Sequence, residues 1–147
     1  MTRYLLDTNI ISETIKPRPS PLLAKWFENQ RDDNLFISSL TLAEIRRGIL
    51  DLPKGKKRDA LHKWFLSVDG PSSIFRGRIL PFNETAAFIW AELMVEGKKI
   101  GRPRDGFDMI IASVARANDC IIVTNNEKDR SEEHTSELQS RQYLVCR

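Results

Sequence analysis

Four short apolar runs, each followed or preceded by a segment of helical period, restrict this chain to few architectures. The runs lie at residues 3–7, 34–38, 78–82 and 120–124. They read as strands too short and too continuously apolar to have one face in water. Between them, residues 8–15 read as a helix with Asp7 or Thr8 as its cap. Residues 22–30 place Leu22, Leu23, Trp26 and Phe27 on one helical face. Ser39 is the expected N-cap of a helix to about Asp51, which Pro53 stops. Residues 56–68 carry Leu61, Trp64, Phe65 and Val68 at helical spacing. Asn83 caps a helix to about Glu96 with Ala86, Ala87, Trp90, Leu93 and Met94 inward, and residues 105–118 form another. Pro17, Pro19 and Pro21 break the chain, residues 70–73 form a turn, and residues 97–104 form a basic loop. The three tryptophans sit at core positions. Short buried strands alternating with helices imply an α/β fold: three layers, with a short parallel sheet flanked by helices. In such sheets ligands gather at the carboxyl ends of the strands.

Three carboxylates stand in apolar surroundings near those ends. Asp7 ends the run Tyr4-Leu5-Leu6, Glu44 lies within Leu40-Thr41-Leu42-Ala43-Glu44-Ile45, and Asp108 opens Asp108-Met109-Ile110-Ile111. Singly, an acid after a strand is a turn former or helix cap, and a helical glutamate points to water. Together, from distant segments, they repel one another unless a cation holds them. Oxygen donors without His or Cys favour Mg2+ or Mn2+, and the chemistry that follows is metal-assisted phosphodiester hydrolysis.

The chain has 147 residues, 41% hydrophobic and 29% charged, which fits one domain with a real core. No run is long enough to span a membrane, and an acid at position 7 comes too early for a signal peptide, so the expected location is the cytoplasm. Cys120 and Cys146 are too few for a disulfide framework. The net charge of +3 permits a nucleic-acid partner without requiring one. Basic clusters at Arg46–Arg47, residues 54–58 and residues 98–104 are either solvated surface or phosphate contacts.

Residues 130–140, Arg-Ser-Glu-Glu-His-Thr-Ser-Glu-Leu-Gln-Ser, resemble the translation of a common sequencing adapter. Residues 130–147 are therefore expected to be a non-native, poorly packed tail on a C-terminally truncated domain at 1–129, leaving the apolar edge at 121–123 unpaired. Without the tail His62 is the only histidine, which leaves little material for histidine or zinc chemistry.

The chain resembles the PIN-domain family, and within it the VapC-like toxins of bacterial type II toxin–antitoxin pairs. The resemblance rests on Tyr4-Leu5-Leu6-Asp7-Thr8-Asn9, Ser38-Ser39-Leu40-Thr41-Leu42-Ala43-Glu44-Ile45-Arg46-Arg47-Gly48, Asp108-Met109-Ile110-Ile111-Ala112-Ser113-Val114-Ala115 and Ile122-Val123-Thr124-Asn125-Asn126. It implies a PIN-like fold and a metal-dependent endoribonuclease acting on single-stranded RNA, usually a homodimer. It also implies a cognate antitoxin that blocks the active site and binds operator DNA. By position, Asp7, Glu44 and Asp108 match the family's metal-binding acids, for Mg2+ or Mn2+, and its fourth polar position falls at Asn126, which adds no charge. Thr8 and Thr124 are expected to orient carboxylates or to act as cap and strand-end hydroxyls. Asp105 is either an N-terminal helix acid or an accessory to the metal shell. Asp129 is expected in the turn after the last strand. Arg46, Arg47, Lys98, Lys99, Arg102 and Arg104 are candidate RNA contacts. Two other readings stay open: a non-cleaving PIN-type module that binds RNA or its antitoxin, and a phosphatase of the haloacid dehalogenase type. The latter needs a second acid where Asn9 stands.

Overall fold

The computed structural model of the protein describes residues 1–102, 104–125 and the backbone of 144–146. Five strands form one sheet in the order β3-β2-β1-β4-β5. These are β1 (Arg3–Leu6), β2 (Leu35–Ser38), β3 (Ile79–Leu80), β4 (Cys120–Thr124) and β5 (Leu144–Cys146). The first four in that order run parallel, with Leu5 opposite Phe36, Leu6 opposite Val123 and Ile37 opposite Ile79. Among the described residues seven α-helices accompany them, with a short 3-10 turn at Asp32–Asn34: α1 (Thr8–Thr14), α2 (Pro21–Glu28), α3 (Ser39–Leu50), α4 (Lys56–Leu66), α5 (Pro71–Ile74), α6 (Glu84–Lys99) and α7 (Gly106–Ala117).

Strand alternation divides the core into two layers. Tyr4, Leu6, Leu35, Ile37, Ile121 and Val123 face one side and pack with Ile10, Ile11, Leu23, Ile45 and Ile49. Trp26 and Trp64 lie against that layer. Leu5 and Cys120 face the other side and pack with Ala86, Ile111, Val114 and Ala115, with Phe36 and Ile122 beside them. Leu5 and Leu6, both wholly buried, thus serve opposite layers. Because both faces are packed, the carboxyl ends of the strands are where polar groups can gather. Among the described residues, no helix is long and apolar enough to cross a membrane.

The local chemistry departs from expectation at several points. Pro21 opens α2 at its first turn under a Ser20 cap, rather than breaking the chain, since its missing N–H would be unpaired there anyway. Ser38, not Ser39, caps α3, its hydroxyl accepting from Leu40 N at 3.1 Å. The expected turn at 70–73 contains the short helix α5, started by Pro71. The helix after Asn83 runs on through the start of the expected loop to Lys99, with Lys98 and Lys99 in its last turn, where cations suit the helix dipole.

The open edge expected at 121–123 is not found. β5 pairs antiparallel with β4, Ile122 opposite Cys146, Val123 opposite Val145 and Thr124 opposite Leu144. The physical reason is the run Leu144-Val145-Cys146, apolar and partly β-branched, which suits a pleated edge. Truncation at residue 129 should therefore lower stability by about 1–3 kcal/mol, the net worth of a few ladder hydrogen bonds, and reduce soluble yield. Urea midpoints of the 147-residue chain and the truncation check this, and equal midpoints would show that β5 contributes nothing.

Candidate active site

The carboxyl end of β1 and the end of β4 are tied together at one carboxylate. Asp7 N donates to Val123 O at 2.9 Å, extending the parallel ladder one residue beyond β1. The Asp7 side chain caps α1, its Oδ1 accepting from Thr8 N at 2.7 Å. Its Oδ2 accepts from Thr124 Oγ1 at 2.9 Å. Asn9 completes the link: its Nδ2 donates to Thr124 Oγ1 at 3.2 Å, and its Oδ1 accepts from Asn125 N at 3.0 Å. Burial pushes the Asp7 carboxyl above its ordinary range, and these two hydrogen bonds only partly oppose that.

Glu44 reaches the same place from α3. The Thr8 hydroxyl donates to its Oε1. Its carboxyl is also raised, first by desolvation and then by the negative charges of Asp7 and Asp108, while the Thr8 hydrogen bond opposes. Asp108 sits in the first turn of α7. Asp105 caps that helix, its Oδ1 accepting from Phe107 N at 2.9 Å and from Asp108 N at 3.0 Å. Of the two roles open to Asp105, the helix-terminal one is thus realised.

Asp7, Glu44 and Asp108 line one concavity of about 410 Å³ with Thr8, Asn9, Ser12, Glu13, Lys16, Phe107, Ile111 and Asn125. Its donors are carboxylate, amide and hydroxyl oxygens, the set that suits a hard divalent cation. Mutual repulsion among three acids is the second feature that fits one. As the side chains stand, no three His, Cys, Asp or Glu among the described residues are arranged to hold a metal ion. A shared cation would therefore require these side chains to rearrange. Thr8 and Thr124 each bond a carboxylate, and Thr8 also begins α1. Asn126 and Asp129 lie outside the described residues.

The basic candidates divide. Arg47 lines a neighbouring concavity with Glu44 and Asp108. Arg46 turns to α4 instead, hydrogen-bonding His62 Nδ1 and lying over the Phe65 ring. Arg104 is a strut: Nη1 donates to Leu93 O at 3.0 Å, and its stem lies on Gly97, where a Cβ would come within 2.8 Å of its Cγ. Lys99 lines a separate, largely apolar hollow with Val95 and Ile100. Lys98 and Arg102 are exposed and line none of these concavities.

Sequence reasoning missed Ser12, Glu13 and Lys16 as lining residues. Their signal was available in part: Thr8 and Ser12 stand one turn apart on α1, while Lys16 lies past its end at Thr14. Lys16 Nζ lies 2.7 Å from Glu13 Oε2, which places one cation at the rim of an acidic opening.

The chain belongs to the PIN-domain family: residues 4–131 match the PIN domain. It is 34% identical over 122 residues to Toxin FitB of Neisseria gonorrhoeae, covering 83% of this chain and 86% of that protein. It is 33% identical over 129 residues to the tRNA(fMet)-specific endonuclease VapC of Shigella flexneri, covering 88% and 90%. The solved structure of FitAB bound to an IR36 DNA fragment superposes with a TM-score of 0.76 at 33% identity, covering 85% of this chain and 86% of that one.

If Glu44 is held against its own repulsion for function, replacing it should relax the ion-free protein. Glu44→Gln should raise the unfolding temperature in EDTA by a few degrees, whereas an ordinary structural glutamate would lower it. Thermal unfolding monitored by circular dichroism decides between them.

Proposed function

We propose that this chain is the toxin of a toxin–antitoxin pair, an endoribonuclease that hydrolyses phosphodiester bonds in single-stranded RNA with Mg2+ or Mn2+. The single observation that carries the reading is the meeting of Asp7, Glu44 and Asp108 from three separate elements at one polar opening. Its setting supports the class: PIN-domain membership, and relatives named as a toxin and a tRNA endonuclease. The solved relative FitAB, bound to an IR36 DNA fragment, supports a protein antitoxin as partner, with DNA contacted through that complex.

Asp7, Glu44 and Asp108 are the residues that would hold the cation. When bound, it supplies polarisation of the scissile phosphate and a water acidified for attack. The chain's residues do the rest. Thr124 and the α1 N-terminus hold the Asp7 carboxylate in one position at the opening. Thr8 steers Glu44 toward the same space. Asp105 fixes the first turn of α7 and hence the position of Asp108. Lys16 at the rim offsets the repulsion an approaching phosphate meets from the acids. Arg47 serves the adjoining side.

Asp7→Asn and Asp108→Asn should each lower cleavage of total RNA at least about a hundredfold, with unfolding temperatures close to that of the parent. Chelation should do the same and Mn2+ should restore the cuts, mapped as new RNA ends. Binding of RNA without any cut under Mn2+ would establish the non-cleaving module instead. RNA affinity should also fall with rising salt, since phosphate contacts release counterions. A binding isotherm that is flat in salt would remove Lys16 and Arg47 from the substrate path.

A further inference from the structure

Phe107 is an aromatic ring left about one-third exposed beside the three acids. It is 36% exposed, although it directly precedes Asp108 in the first turn of α7. It lines the catalytic opening and also a second concavity of about 340 Å³, formed with Ala43, Glu44, Arg47, Asp105 and Asp108. Glu44, Phe107 and Asp108 are common to both, so the ring forms part of the wall where the two hollows meet. Among the described residues it is the sole aromatic lining either one. The Asp105 cap pins its backbone through Phe107 N, which orders the ring's base.

We propose that the second concavity is a nucleotide subsite, in which Phe107 stacks the base next to the scissile phosphate and Arg47 meets that nucleotide's backbone. This rests on the ribonuclease reading above. The lining excludes other placements of the same nucleotide. Glu44, Asp105 and Asp108 would repel a phosphate set deep in the hollow, whereas a base is neutral and its N–H groups suit carboxylates. The Arg47 side chain is 85% exposed, and its partner Asp51 stands 4.0 Å away and is itself 76% exposed. Such an exposed pair is worth little, so a phosphate can take the guanidinium over. Base stacking on an aromatic ring tolerates any base but needs a free π-face. A base inside a duplex has neither face free. The subsite therefore selects single-stranded over paired RNA by stacking geometry, independently of the acids.

The test uses the full-length chain and a short single-stranded RNA carrying 2-aminopurine, with Ca2+ present and the RNA checked intact by gel. Stacking on Phe107 should quench the 2-aminopurine fluorescence. Phe107→Ala should abolish the quench and weaken binding about tenfold, the scale of one stacked base. In cleavage under Mn2+ it should raise KM by a similar factor while kcat changes less than about threefold. Phe107→Trp should restore quench and affinity. Phe107→Leu, which keeps the apolar bulk and guards against loss of fold, should not. Arg47→Gln should weaken binding and flatten its salt dependence. Affinity for duplex RNA should be low in the parent and unmoved by Phe107→Ala.

Equal affinity of the parent and Phe107→Ala overturns the subsite. So does a fall in kcat at constant KM, which would mean that the ring only supports Asp108, and so does full function in Phe107→Leu. Parent protein that binds and quenches but never cuts sinks the ribonuclease reading and leaves the subsite standing. Cutting with an unchanged KM in Phe107→Ala does the reverse. Parent protein with no affinity for RNA overturns both.

Discussion

Everything at the working end of this molecule depends on one half-buried carboxylate held between two parallel strands. Asp7 continues the β1–β4 ladder with its own N–H to Val123 O, and its side chain is bound by Thr124 at the end of the neighbouring strand. The carboxylate costs free energy there, because burial disfavours its charge more than the Thr8 N–H and Thr124 hydroxyl favour it. A fold tolerates such a cost where the group does something else. The same Asp7 caps α1, so the start of that helix and the direction of Asn9 follow from its position.

The two apolar layers set the frame for that carboxylate. With Leu6 and Val123 packed on one face and Leu5 and Cys120 on the other, neither β1 nor β4 can slide by one residue without exchanging layers. Register is thereby fixed, and with it the pairing that brings Asp7 beside Thr124. Glu44 and Asp108 come from helices on opposite sides, α3 packing with the Leu6 layer through Ile45 and Ile49, and α7 with the Leu5 layer through Ile111 and Val114. The acids meet because each layer presents one to the mouth of the sheet. Their repulsion, felt most plainly at Glu44, is the electrostatic signature of the site.

Basic residues show the limit of counting charges. Arg46 and Arg47 are adjacent in sequence, yet successive helical positions face different ways. Arg46 goes to His62 and Phe65 on α4, and Arg47 to the concavity beside Glu44. Arg104, at the end of the most basic loop, stabilises that loop by lying across Gly97. A charge run marks where cations are, and only packing decides which of them remain available to a phosphate.

The sequence by itself determined the layered α/β architecture, since four short apolar runs between amphipathic helices have few other ways to bury both faces. It determined the three acids too, because a carboxylate set among apolar neighbours such as Leu6, Ile45 and Ile110 is legible as an anomaly. Boundaries governed by single caps were legible to within a residue or so, as at Ser38 and Ser39. Tertiary structure alone decided what rests on contacts between distant segments: the hydrogen bonds of Thr124 to Asp7 and Thr8 to Glu44, the parting of Arg46 from Arg47, and the pairing of β5 with β4. It alone showed Phe107 lining both hollows. Periodicity records which residues prefer burial, and an aromatic ring left in the open by its neighbours' shape has no counterpart in the spacing of the chain.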